Sequence, residues 1–108
     1  MNYRRLFIKN GLVFLTIVTN NRVPILITNI DLLKQSYLNI LQYYEFDLIA
    51  YSIQPNHIHC MIKPLNIEDY PKIVKSFKYS FTKNYIKSTL RHYISILKII
   101  WRHFQELV

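Results

Sequence analysis

Short apolar segments separated by polar breaks occupy the first two thirds of the chain. Residues 12–19 are rich in β-branched and aromatic side chains, and two asparagines and a proline follow them. This pattern predicts a first strand. Two more segments of strand composition, residues 46–53 and 57–63, flank the turn-forming residues Gln54, Pro55 and Asn56. We expect these two segments to pair as antiparallel neighbours.

Two other segments have apolar residues at helical spacing. Asn29 or Asp31 can cap the first helix, which should end near Tyr44. The second helix should begin between Asn66 and Pro71, since asparagine is a capping residue and proline suits a first turn. Its buried stripe is expected to contain Ile67, Tyr70, Ile73, Val74, Phe77 and Phe81.

The predicted order of strand, helix, strand, strand and helix matches the first five elements of a ferredoxin-like α+β sandwich. That fold has an antiparallel sheet with two helices on one face. Residues 93–100 are apolar enough for an incomplete fourth strand, but apolar positions from Leu90 onward recur at helical steps. The C-terminal segment is therefore either a helix or an unfinished strand. Without an internal linker or repeat, residues 1–108 are expected to form one domain.

The net charge indicates which kinds of partner the protein binds, and the cysteine count indicates its cellular compartment. Fourteen Lys and Arg against six Asp and Glu leave a formal charge of +8, which attracts nucleic acid or an acidic membrane surface. No apolar run approaches the roughly 20 residues of a membrane span, so a membrane-spanning role is not expected. The single cysteine, Cys60, cannot form an internal disulfide and is typical of the reducing cytoplasm.

His57 and His59 are the residues most suggestive of chemistry. On a strand, residues two apart point to the same face, so two imidazoles can converge on one metal ion. Cys60 would point to the other face, which makes a zinc cluster of all three residues geometrically poor. A His-x-His pair also occurs in purely structural positions, and imidazole alone does not select which metal binds.

Residues 54–62 read Gln-Pro-Asn-His-Ile-His-Cys-Met-Ile. This segment resembles the signature of the single-tyrosine HUH transposases of insertion sequences, which include the REP-associated tyrosine transposases. The resemblance extends upstream to Tyr3-Arg4-Arg5 and to the Thr-x-x-Arg turn that ends the first strand at Arg22. Downstream it includes the Lys-Ser-Phe-Lys core of the second helix, within residues 74–82. Residues 3 to 85 carry the match.

The resemblance implies a DNA transposition enzyme acting on single-stranded or hairpin DNA. In the family two histidines bind magnesium or manganese, and here these would be His57 and His59. The ion activates a phosphate. A tyrosine attacks this phosphate and forms a 5′-phosphotyrosine intermediate.

The family's nucleophile lies on a helix that follows a Trp-containing segment. Residues Trp101-Arg102-His103-Phe104 resemble the start of that segment. No residue of the chain matches the nucleophile itself, so the catalytic residue is unassigned. We expect a truncated copy that lacks this C-terminal helix and binds DNA without nicking it alone. Tyr79, Tyr85 and Tyr93 are expected to pack or to stack on bases. A noncatalytic nucleic-acid-binding module is the alternative.

Basic residues suggest where DNA would be contacted, although such residues are also common on solvated surfaces. With the net charge and the resemblance together, the expected DNA-binding residues are Arg4, Arg5, Arg22, Lys75 and Lys78. The apolar segment from Ile94 to Trp101 would be exposed in an unfinished core, which favours a homodimer.

Overall fold

The computed structural model describes the backbone of residues 2–9 and 11–106, and the side chains of residues 11–99 and 102. This part of the chain contains four strands and two α-helices. They are β1 (Asn2–Lys9), β2 (Leu12–Val18), α1 (Ile30–Ile40), β3 (Phe46–Ile53), β4 (His57–Pro64) and α2 (Tyr70–Glu106). Single 3-10 turns occupy residues 20–22, 27–29 and 67–69.

The strands form one sheet in the order β1-β2-β4-β3, and all neighbouring pairs are antiparallel. The predicted α+β class, with an antiparallel sheet and two helices, is confirmed. The fourth strand was not predicted correctly, because it comes from the N-terminal end of the chain. β1 lies beside β2, at the edge where a ferredoxin-like fold has its last strand. Residues 93–100 are helical, so the alternative of an unfinished strand there is wrong.

A tight hairpin joins β1 to β2. Lys9 pairs with Leu12, and only Asn10 and Gly11 lie between them in sequence. Gly11 has a φ of 78°, in the left-handed region that two-residue hairpin turns require. Asn-Gly is therefore the sequence signal for this hairpin, whereas three basic residues interrupt the apolar pattern of β1.

One face of the sheet carries the core and the helices. Burial alternates along β2, where Val13, Leu15 and Ile17 are buried. They pack with buried residues of the other elements, which include Leu33, Ile40, Ile58, Ile62, Ile73, Val74 and Phe81. No helix of the described chain covers the opposite face, which we call the open face. Thr16 of β2 is half-buried there, and His59 of β4 is exposed.

Helix α1 differs from its prediction at both ends. It ends at Ile40, and the following residues continue as turns, with Tyr44 N–H donating to Ile40 O at 3.0 Å. Asn29 occupies the N-cap position, but its side chain makes no capping hydrogen bond. Its amide instead donates to Ile25 O at 2.7 Å, so the predicted side-chain cap is wrong.

Helix α2 is one continuous element of 37 residues. Of its predicted stripe, Ile73, Val74 and Phe81 are buried, and Tyr70 and Phe77 pack partly against the core. Ile67 was assigned wrongly, because it lies in the preceding 3-10 turn and is 37% exposed. All side chains of residues 86–99 are exposed, so the second half of α2 leaves the sheet. Within the described chain, no helix has the length and apolar character of a membrane span.

Candidate metal centre

His57 and His59 lie on β4, a central strand, with their rings on the open face. Their ring centres are 4.9 Å apart and their planes are inclined by 80°. Ile58, between them, is buried on the helix side, and Cys60 packs against the core. The strand alternation predicted from the sequence therefore places the two imidazoles together and Cys60 away from them.

Each histidine has one ring nitrogen held by a neighbouring polar group. His57 Nδ1 is 2.7 Å from Asn56 Oδ1. An amide oxygen can only accept, so this contact places the hydrogen on Nδ1 and leaves the lone pair on Nε2. His59 Nδ1 is 3.1 Å from Thr16 Oγ1, on the strand directly opposite. A partner on one nitrogen that orients the ring for metal binding by the other is a common arrangement in metalloproteins.

The spacing of the rings is compatible with a shared metal ion. An ion about 2.1 Å from a coordinating nitrogen lies about 3.2 Å from the centre of that ring. Two ring centres 4.9 Å apart then subtend roughly 100° at the ion, between the octahedral and tetrahedral angles. Among the described residues no group of three His, Cys, Asp or Glu could hold an ion. A metal ion shared by the two histidines would take two ligands from this pair and its remaining ligands from other donors.

The turn before His57 is tied to the loop after β2. Buried Thr19 donates from Oγ1 to Val23 O at 2.8 Å and to Asn56 O at 3.2 Å. Thr19 N–H also donates to Asn56 O at 3.0 Å. These bonds fix the backbone of Asn56, whose side chain contacts His57. The sequence indicated the Thr-x-x-Arg turn, but the role of Thr19 depends on a contact between residues 37 positions apart.

The protein-family model for IS200-like transposases matches residues 8–104. The chain belongs to the IS200-like transposase family.

This IS200-like chain is 36% identical over 84 residues to a REP-associated tyrosine transposase of Haemophilus influenzae, covering 76% of the chain and 48% of the relative. It is 29% identical over 82 residues to that of Escherichia coli, covering 74% of the chain and 50% of the relative. A solved REP-associated tyrosine transposase bound to a REP hairpin superposes with a TM-score of 0.63 and 26% identity. That match covers 78% of the chain and 52% of the solved one. The IS200-like chain thus spans about half the length of the curated relatives it matches.

Of the predicted DNA-binding residues of this IS200-like chain, those with described side chains are Arg22, Lys75 and Lys78, and they lie on two different elements. Arg4 and Arg5 lie in β1, paired with Thr16 and Leu15, and their side chains are outside the described part. Arg22 is exposed in the loop that Thr19 ties to the turn before His57. Lys75 is exposed and Lys78 half-buried on α2, on the helix side of the sheet. DNA contact by these residues stays a prediction.

The tyrosines whose side chains the structure describes lie away from the histidine pair. Tyr85 packs against the core and stacks on Phe81, with ring centres 6.0 Å apart. Tyr79 and Tyr93 are exposed on α2. Tyr51 is paired with Cys60 rather than with a histidine, so it belongs to the helix side. None of these four is positioned on the open face, and Trp101, His103 and Phe104 have side chains outside the described part.

Proposed function

We propose that this chain is the metal- and DNA-binding part of a transposase that cuts and rejoins single-stranded or hairpin DNA. His57 and His59 hold a divalent ion, magnesium or manganese, which when bound supplies Lewis-acid activation of a phosphate. The observation that carries the proposal is the pair of imidazoles 4.9 Å apart on the open face, each with Nδ1 engaged by a neighbour.

Each residue of the centre has a distinct task in this proposal. Asn56 and Thr16 orient the two rings, and the formal charge of +8 attracts the DNA backbone. The relative solved with a REP hairpin supports hairpin DNA as the ligand. The attacking tyrosine is not one of the described tyrosines on the helix side. Because no described tyrosine lies beside the histidine pair, we expect the chain alone to bind DNA and metal without forming a covalent product.

Manganese binding and adduct formation test the two parts of this proposal separately. Mn²⁺ affinity is measured by titration for the wild-type chain, a His57→Ala/His59→Ala variant and a His92→Ala control. His92 is exposed on α2, outside the proposed centre. We expect wild type and control to bind Mn²⁺ equally and the double variant to lose binding. Equal binding by the double variant would show that the metal centre is wrong.

Each protein is then incubated with labelled hairpin DNA and Mn²⁺, and covalent protein–DNA adducts are scored. We expect none. An adduct with the wild-type chain would mean that a tyrosine within it is the nucleophile.

A noncatalytic nucleic-acid-binding module is the second candidate. The absence of Tyr51, Tyr79, Tyr85 and Tyr93 from the open face favours it. This candidate predicts DNA affinity that is unchanged by EDTA and by the His57→Ala/His59→Ala substitutions. Metal-dependent DNA binding that those substitutions abolish would exclude it.

We also propose that the chain forms a homodimer through the second half of α2. Ile86, Leu90, Tyr93 and Leu97 recur at steps of four, three and four residues, the seam spacing of a coiled coil. Each is about half exposed, so a second copy of the helix would bury a self-complementary stripe.

Light scattering at micromolar concentration tests the homodimer. A Leu90→Lys/Leu97→Lys variant should be monomeric, whereas a Ser88→Lys/Ser95→Lys control outside the seam should remain dimeric. A monodisperse wild-type monomer would contradict the proposal.

A further inference from the structure

A second surface, lined by lysines and tyrosines, lies on the opposite side of the sheet from the histidine pair. It is a cleft of about 770 Å³ between the two helices. Residues 39–44, at the end of α1 and in the turn after it, form one wall, and residues 72–87 of α2 form the other. We call it the helix cleft. The proposed metal centre uses none of its residues.

The helix cleft is strongly basic. Lys72, Lys75, Lys83 and Lys87 line the α2 wall, and all four are exposed. No aspartate or glutamate occurs among the described lining residues, so no carboxylate of the wall offsets these charges. At 1.5 Å per residue the row from Lys72 to Lys87 is about 22 Å long. A basic row of this length can contact several consecutive phosphates of a nucleic-acid strand.

Two exposed tyrosines stand among the lysines. Tyr43 on one wall is 79% exposed, and Tyr79 on the other is 67% exposed. Lys83 Nζ lies 5.9 Å from the centre of the Tyr79 ring, which places a positive charge beside a possible stacking platform. Unpaired bases stack on such rings, whereas bases inside a duplex are already stacked on one another. The aromatic and basic side chains together therefore favour a single strand.

The shape of the helix cleft favours nucleic acid over an anionic membrane surface, which is the other partner that the positive charge would attract. A flat anionic membrane would contact the outermost side chains of the two helices but could not enter a cleft between them. Asn39 and Gln42 also line the cleft and can form hydrogen bonds with base edges. A flexible single strand fits both the concave shape and this mixture of charged, aromatic and amide groups.

We infer that the helix cleft is a subsite for single-stranded DNA, with Lys75 and Lys83 on phosphates and Tyr79 stacked on a base. This inference rests on the proposed function, because it takes DNA as the ligand. The sheet separates the cleft from His57 and His59, so the nucleotides bound here are not those at the histidine pair. The cleft therefore contributes DNA affinity without any divalent ion.

Fluorescence anisotropy in EDTA with a labelled oligothymidylate about 12 nucleotides long tests the subsite. A Lys75→Glu/Lys83→Glu variant is compared with a Lys34→Glu/Lys98→Glu control, which makes the same change of net charge outside the cleft. The cleft variant should lose about tenfold in affinity and the control less than about threefold. The slope of log affinity against log salt should fall by about 1.4 in the cleft variant, for two lost contacts to a single strand.

Substitutions of Tyr79 separate stacking from charge. Tyr79→Ala should weaken binding about fivefold, and Tyr79→Phe should keep wild-type affinity because its ring still stacks. All these positions are exposed, and unchanged circular dichroism melting would exclude a folding defect as the cause. Equal loss in Tyr79→Ala and Tyr79→Phe would contradict stacking.

The outcomes distinguish this inference from the proposed function. The His57→Ala/His59→Ala variant should bind the oligonucleotide in EDTA like wild type. If the cleft variant binds the oligonucleotide in EDTA like wild type, the subsite is wrong, and the Mn²⁺ titration still tests the histidine centre by itself. If the cleft variant loses DNA but the histidines bind no Mn²⁺, the subsite stands without the metal centre. Cleft-dependent binding to phosphatidylglycerol vesicles, with unchanged oligonucleotide affinity, would identify a membrane surface and overturn the inference.

Discussion

Thr16 and His59 face each other across β2 and β4, with Thr16 Oγ1 3.1 Å from His59 Nδ1. The two residues are 43 positions apart in sequence, and the antiparallel register brings them together. Their hydrogen bond limits rotation of the His59 ring on the open face. The geometry of the proposed metal centre therefore depends on a side chain from the neighbouring strand.

Removing the Thr16 hydroxyl should weaken metal binding. Thr16→Val keeps the β-branched shape but leaves His59 Nδ1 without this partner, so we expect about a tenfold loss of Mn²⁺ affinity. Thr16→Ser should keep near wild-type affinity because it retains the hydroxyl. Isothermal titration with Mn²⁺ measures both variants. An unchanged Mn²⁺ dissociation constant in Thr16→Val would mean that the hydrogen bond does not orient His59 for the metal.

Asn56 should act on His57 in the same way. Its Oδ1, 2.7 Å from His57 Nδ1, is lost in Asn56→Ala, and Mn²⁺ affinity should fall about tenfold. Asn56→Asp keeps an acceptor oxygen and should bind Mn²⁺ at least as tightly as wild type. Since the backbone oxygen of Asn56 bonds Thr19 in every variant, the turn should be kept. Weaker binding by Asn56→Asp than by Asn56→Ala would contradict this role.

Thr19 should contribute to stability through the same turn. Thr19→Val removes the hydroxyl that donates to Val23 O and Asn56 O in a buried position. We expect the free energy of unfolding to fall by about 1–2 kcal/mol. Urea denaturation measures the change, and Thr28→Val serves as the control because the Thr28 hydroxyl bonds Ile25 O at an exposed position. Equal effects of the two substitutions would show that burial of the Thr19 bonds is unimportant.

Cys60 should make stability fall at high pH. Burial raises the pKa of its thiol from 9.0 to about 11, so the unfolded chain loses the proton at lower pH than the folded chain. This contribution is fully present below pH 9 and is lost as the pH rises toward 11. The expected total is about 3 kcal/mol, at about 1.4 kcal/mol per pKa unit.

Urea unfolding of wild type and Cys60→Ala across this pH range measures the contribution of the thiol. All other titratable groups are the same in both proteins, so the difference between their slopes of unfolding free energy against pH isolates Cys60. Parallel slopes would contradict the prediction.

The fold could be predicted where the local pattern was strong. The strand at residues 12–19 and the buried positions Ile73, Val74 and Phe81 follow from strand composition and helical spacing. β1 was missed because its apolar pattern is broken by basic residues, and pairing with β2 supplies the hydrogen bonds that make it a strand. Helix α1 ends at Ile40 although apolar residues continue, because periodicity does not specify where backbone bonding changes to turns.

By itself the sequence determined that His57 and His59 share one face and that Cys60 lies on the other, because successive residues of any strand alternate between faces. It also determined the basic charge and the apolar stripe of α2. Only the tertiary structure decided that Thr16 lies against His59, that Thr19 holds Asn56, and that Lys75 and Tyr79 meet Tyr43 across a cleft. These are contacts between distant segments, and they arise from the sheet register and helix packing that burial of the common core selects.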